Sequence, residues 1–154
     1  MKKMLLSFFC FMTLLFSVGC SCEPKVAITT EQFVAICEEN NYETIDVSEQ
    51  YSQFTQIQDA TVARSGSDWQ IEFYVLDTDV NAIAMFATNQ SLFESYDTGS
   101  STQSSVNMQN YSTFMLKAGG YYMYLCQVDN TLLYVRVASQ FENSVTALID
   151  ALGY

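Results

Sequence analysis

The sequence contains no histidine. That excludes Ser-His-Asp and Cys-His nucleophile systems, His-ligated zinc and a histidine general base together. Carboxylate, tyrosine or lysine chemistry stays open, but no pattern signals it. Cations are nearly as scarce. Six Lys and Arg stand against seventeen Asp and Glu, for a formal net charge of −11. Lys2 and Lys3 sit at the N-terminus, so only Lys25, Arg64, Lys117 and Arg136 serve the rest of the chain. A nucleic-acid backbone needs clustered Lys and Arg that release its counterions. Four scattered cations exclude nucleic acid as a partner. They also argue against a domain lying electrostatically on anionic lipid. Acidity of this kind suits solubility outside the cell.

What is present is apolar. The chain is 49% hydrophobic and 14% aromatic, which excludes general disorder. Its 154 residues favour one domain, and no internal repeat or linker divides them.

The first residues read Met1-Lys2-Lys3, a short positive segment, followed by the apolar run Met4 to Phe16. That run is too short to span a bilayer, which takes about 20 residues. It has the length of a signal-peptide core, and no charge gives it the polar face of a surface helix. It ends Ser17-Val18-Gly19-Cys20. This resembles the lipobox of bacterial lipoproteins, with Ser17 where the class usually has leucine. Cys22, after the small Ser21, is a weaker alternative site. The resemblance implies a diacylglyceryl thioether on Cys20, removal of residues 1–19, and residence on the extracytoplasmic face of a cell membrane. Two or three acyl chains anchor stably, since each buried methylene adds roughly 0.8 kcal/mol. Residues 20–27 then form a lipidated tether, in which Ser21 to Ala27 reach about 25 Å at most, and residues 28–154 form the domain.

Thr29 and Gln32 have capping-box spacing, and Phe33, Ile36 and Cys37 follow as one helical stripe. Asn40-Asn41 ends that helix. Residues 42–54 read as a short strand or a turn of helix. Ile57 to Arg64 and the cleanly alternating Trp69 to Leu76 read as strands joined by the Ser65–Asp68 turn. A helix over roughly 79–95 follows, with Val80, Ile83, Ala84 and Ala87 as its apolar face, Phe86 and Phe93 on the shoulder, and Asp77 as its cap. Asp77-x-Asp79-x-Asn81 fails as a calcium loop, because Ala82 stands where glycine is needed and Thr88 where glutamate belongs. No metal or other cofactor is expected. Residues 97–110 are polar and read as a long loop. Tyr111 to Ala118, Tyr121 to Val128 and Thr131 to Ala138 form a meander turning at Gly119-Gly120 and Asp129-Asn130. Ser139, with Glu142, caps a final helix ended by Gly153.

The expected order is α-β-β-α-β-β-β-α. It predicts an α+β fold, an antiparallel sheet of about five strands with helices packed on one face. A lipoprotein so arranged resembles small lipoproteins of unassigned role from Gram-positive bacteria.

The Asp129-Asn130 turn sets a register in which Cys126 faces Leu133, Tyr124 faces Val135 and Tyr122 faces Val137. The other face carries Tyr121, Met123, Leu125, Tyr134 and Arg136, joined by Phe114 and Leu116. With helices on one face only, this second face is either exposed, and an exposed aromatic patch marks a binding site, or covered by residues 97–110 or 42–54, or simply amphipathic. These five residues form the expected site for a protein or small-molecule ligand. There Arg136 would meet either a ligand carboxylate or a local acid. Cys37 and Cys126 are either a disulfide or two buried thiols.

The expected function is a non-enzymatic, lipid-anchored binding or accessory module. The alternatives are a carboxylate-based cell-wall hydrolase using Asp68, Glu72 or Asp97, and a structural subunit of a membrane complex. The address is directly testable. Intact mass of the membrane-fraction protein should show a chain starting at Cys20 with a lipid-sized increment, and Cys20→Ala should lose both. An unprocessed chain in both cases would refute the anchor.

Overall fold

The structure is a computed structural model that describes residues 24–97 and 99–154. The expected signal segment, Cys20 and Cys22 lie outside the described residues. The three meander strands form as the sequence predicts: β5 (Tyr111–Ala118), β6 (Tyr121–Val128) and β7 (Thr131–Ala138). Gly119 and Gly120 turn the first hairpin with φ of 58° and 81°. A backbone of that hand costs glycine nothing. The second turn takes a positive φ only at Asp129. The register is the expected one, with Cys126 opposite Leu133, Tyr124 opposite Val135 and Tyr122 opposite Val137.

The full order is α1 (Thr30–Glu39), β1 (Glu43–Asp46), β2 (Ile57–Ser65), β3 (Trp69–Leu76), α2 (Asp79–Glu94), β4 (Thr102–Asn107), β5, β6, β7 and α3 (Glu142–Leu152). The fold is α+β, and its antiparallel sheet has seven strands in the order β1-β2-β3-β7-β6-β5-β4. The two strands beyond the expected five are the edges. β1 comes from the ambiguous segment, which also supplies a 3₁₀ turn at Ser48–Tyr51. β4 comes from the expected loop. Every one of its side chains is exposed, so it is held by backbone pairing with β5 and leaves no hydropathy signal.

Helices cover both faces, not one. Phe33 and Cys37 of α1 and Val145, Leu148, Ile149 and Leu152 of α3 pack on Ile71, Phe73, Tyr122, Cys126, Leu133, Val135 and Val137. Phe33 stacks on Phe73 with ring centroids 4.8 Å apart. On the opposite face Ala82, Phe86 and Phe93 of α2 meet Tyr74, Leu76, Phe114, Leu116, Met123, Leu125 and Leu132. The physical reason lies in β6 and β7, whose side chains are mostly apolar on both sides. Such strands need cover above and below.

The α2 face differs from the expected one. Val80 is 67% and Ile83 52% exposed, and Ala84 and Ala87 are exposed too. The buried stripe is Ala82, Phe86 and Phe93, because two phenyl rings remove more apolar area from water than the smaller set. Its cap is Thr78, whose hydroxyl accepts from the Asn81 N–H, while Asp77 accepts from the Asn81 side chain at 2.7 Å. The α1 capping box forms as expected. The one expected at Ser139 does not. Ser139–Phe141 is a 3₁₀ turn, and Glu142 is drawn instead into an ion pair with Lys117.

Cys37 and Cys126 are two free, buried thiols in one core, so the disulfide alternative is not the one present. Burial pushes Cys126 up to about 11, and burial aided by Glu38 pushes Cys37 up to about 12. A thiol raised above its unfolded value near ~8.5 favours the fold fully below that pH and loses this contribution as pH climbs through the folded value. The native protein should therefore leave both thiols unreactive to Ellman's reagent at pH 8, with two further thiols appearing on denaturation. If none appear, the pair is oxidised. Leu125→Ala should cost about 2–5 kcal/mol in urea unfolding, as a cavity in a two-sided core does.

Candidate functional site

The strands have two ends of different character. At one end lie the Asp129-Asn130 turn, Asn110 and the entry to α1. At the other lie the Gly119-Gly120 turn, the Ser65–Asp68 turn and the C-terminus of α2. An eight-residue strand separates them by about 25 Å.

The chain enters the fold at the first end and is pinned there. Lys25 donates to the Gly153 carbonyl at 2.8 Å and lies 5.7 Å from the centre of the Tyr111 ring. Asn110 donates to the Lys25 carbonyl at 2.7 Å, and the Ile28 N–H reaches the Tyr154 hydroxyl.

The five residues expected to form a binding face divide under α2. Met123 and Leu125 are buried beneath it. Tyr134 is half-buried, its ring 5.1 Å from Phe93. Burial, with Glu72 nearby, raises its hydroxyl pKa, and Arg136 partly offsets this. The wide exposed face is therefore absent, since α2 supplies the second layer. Tyr121 and Arg136 stay at the far end, exposed.

There they meet a residue the sequence reading missed. Tyr96 follows α2 directly, 39% exposed. The Arg136 guanidinium lies over both rings, 4.4 Å from the centroid of Tyr121 and 5.0 Å from that of Tyr96. Each such contact contributes roughly 0.5–1 kcal/mol at an exposed site. Together with Ala118, Gly119 and Met123 they line a hollow of about 130 Å³. A length argument could have found Tyr96. Sixteen helical residues at about 1.5 Å each cover nearly the span of eight strand residues. A helix that leaves β3 at one end must then deliver its last turn to the other.

Among the described residues Arg136 has no carboxylate partner, since the ion pairs are Arg64–Glu43 and Lys117–Glu142. Glu72, on the same sheet face, is held by the Tyr74 hydroxyl, which also bonds Tyr51 at 2.9 Å. Burial, reinforced by that carboxylate, raises the Tyr74 pKa far above a free phenol. The acids Asp68, Glu72 and Asp97 do not come together in this hollow. Asp97 accepts from the Gly99 N–H, which holds its pKa below the ordinary value. Among the described residues no group of three or more His, Cys, Asp or Glu is placed to hold a metal ion.

No protein-family model and no curated protein matches the chain. A solved structure does resemble it: a GTP binding regulator from Thermotoga maritima, 14% identical, with a TM-score of 0.51 over 85% of this chain and 92% of that one. At that identity the likeness is one of fold alone.

The rim and the core should separate in mutants. Arg136→Ala should change unfolding stability by no more than about 2 kcal/mol, the scale of two exposed cation–π contacts. Phe93→Ala should cost about 3–5 kcal/mol. Equal losses in chemical denaturation would show that Arg136 is structural.

Proposed function

We propose that this chain is a lipid-anchored extracytoplasmic protein that acts as a binding or accessory module, without catalysis, and docks its partner at the rim of Tyr96, Tyr121 and Arg136. The single observation that carries this reading is the open guanidinium of Arg136. In a chain with seventeen acids, an exposed arginine without a carboxylate partner is the exception. Two tyrosines hold it in place, and Tyr and Arg are the residues that dominate binding hot spots.

The placement of the rim agrees with the address. If Cys20 carries the lipid, four residues, Ser21 to Pro24, separate it in sequence from the pin at Lys25. The pinned end then stays close to the bilayer and the rim points outward, about 25 Å further away. A partner would reach it from outside, without passing beneath the domain. GTP, named for the structural neighbour, suits this rim poorly. A triphosphate needs several cations, and the other three described here already hold oxygen acceptors.

Occupancy of the rim can be read in cells. In a Cys22→Ser background, a cysteine is placed at Ser139, beside the rim, or at Ser104 on β4. A membrane-impermeant maleimide is then applied to intact cells and to the purified protein. Labelling at 139 should be several-fold slower in cells relative to purified protein, with no such slowing at 104. The same ratio at both positions would overturn the docking assignment.

A further inference from the structure

Four cations lie among the described residues, and three of them hold an oxygen. Arg64 grips Glu43 with its fork, Nε to Oε2 at 2.9 Å and Nη2 to Oε1 at 2.8 Å. Lys117 holds Glu142, and Lys25 holds the Gly153 carbonyl. Arg136 alone has only ring contacts. A cation–π contact occupies a guanidinium through its charge and leaves donors over for an acceptor. Held over two rings, the side chain has also lost much of the rotamer freedom that binding would otherwise cost.

We infer that Arg136 is the receptor for a single carboxylate group of the ligand, taken bidentately by its open fork, with the body of the ligand lying on Tyr121 and Tyr96. This rests on the reading of the rim as the docking site and names the chemistry it takes. The fork is planar and matches a planar carboxylate, as Arg64 demonstrates on Glu43 within the same molecule. One guanidinium balances one negative charge. Among the described residues no second unpaired cation stands at the rim to balance a phosphate dianion, and the net charge of −11 opposes any excess. The wall supports a small terminal group. Gly119 contributes no side chain, Ala118 only a methyl, and the hollow measures about 130 Å³. Two sources present such a group outside a cell: the C-terminus of a peptide and the acid of a sugar.

The chain has only two arginines, Arg64 and Arg136, so the test contains its own control. The full lipidated chain, labelled with ¹⁵N-arginine and held in a neutral detergent, gives two Nε–H signals. It is titrated with acetyl-Ala-Ala and its amide, with glucuronate and glucose, and with methyl phosphate. A saturable shift at Arg136, with Arg64 still, is expected from at least one acid and from neither neutral counterpart. The acid that saturates first identifies the source. Arg136→Lys, labelled with ¹⁵N-glycine and followed through the Gly119 amide alongside the unsubstituted chain, should weaken that binding at least tenfold, because the charge remains and the fork is lost. Three results overturn the inference: no saturable shift from either acid, both arginines moving together, or methyl phosphate saturating first. The rim as a docking site is judged separately by the labelling at position 139. A protected rim without a carboxylate response would sink this inference and leave that reading standing.

Discussion

The structure depends on two strands that must be dry on both sides. Leu125, Cys126, Leu132, Leu133 and Val135 alternate above and below the sheet, and none retains measurable exposure. Each removes apolar area from water only if a helix layer lies over its side. α1 and α3 serve one side and α2 the other. The edge strands then close a sheet whose centre is already fixed. At β1 the edge carries Glu43 and Asp46, charges that discourage pairing with another chain. At β4 the edge is uncharged.

The same constraint builds the rim. α2 must lie along β5, β6 and β7 to cover Met123 and Leu125, and its length carries Tyr96 to the end of β6. Arg136 follows from the alternation of β7. Its neighbours two residues back face α2, and only the strand end lets a guanidinium reach water. The core therefore positions Tyr96, Tyr121 and Arg136 without any of the three being part of it. That division is common where a rigid scaffold presents function at its margin.

The opposite end is ordered by polar contacts. The Lys25 ammonium, the Asn110 amide and the Tyr154 hydroxyl tie the entering chain to the last residues of α3 and the turn before β5. Buried polar groups there are satisfied locally. Thr131 donates to the Val128 carbonyl and meets the Tyr154 hydroxyl, and Gln127 donates to the Asp129 carbonyl. Among the described residues no buried side-chain nitrogen or oxygen lacks a partner.

The sequence by itself determined the elements whose cause is local. Alternation and turn residues set β3, β5, β6 and β7 to the residue, and they set the register that puts Cys126 against Leu133. The Thr29–Gln32 box set the start of α1. The same alternation put Tyr121 and Arg136 on one sheet face. Tertiary structure alone decided what depends on distant partners. α2 is apolar around much of its circumference, so periodicity could not choose between Val80 with Ile83 and Phe86 with Phe93. The surface beneath it made the choice. β4 exists because β5 offers backbone partners, and its exposed side chains carry no sign of that. Whether the second sheet face stayed open hung on where α2 crossed, and the meeting of Tyr96 with Arg136 hung on the same crossing. Hydrophobic pattern fixes which side of an element is buried when that side is distinct. When two sides are equally apolar, only the shape of the opposing surface settles it.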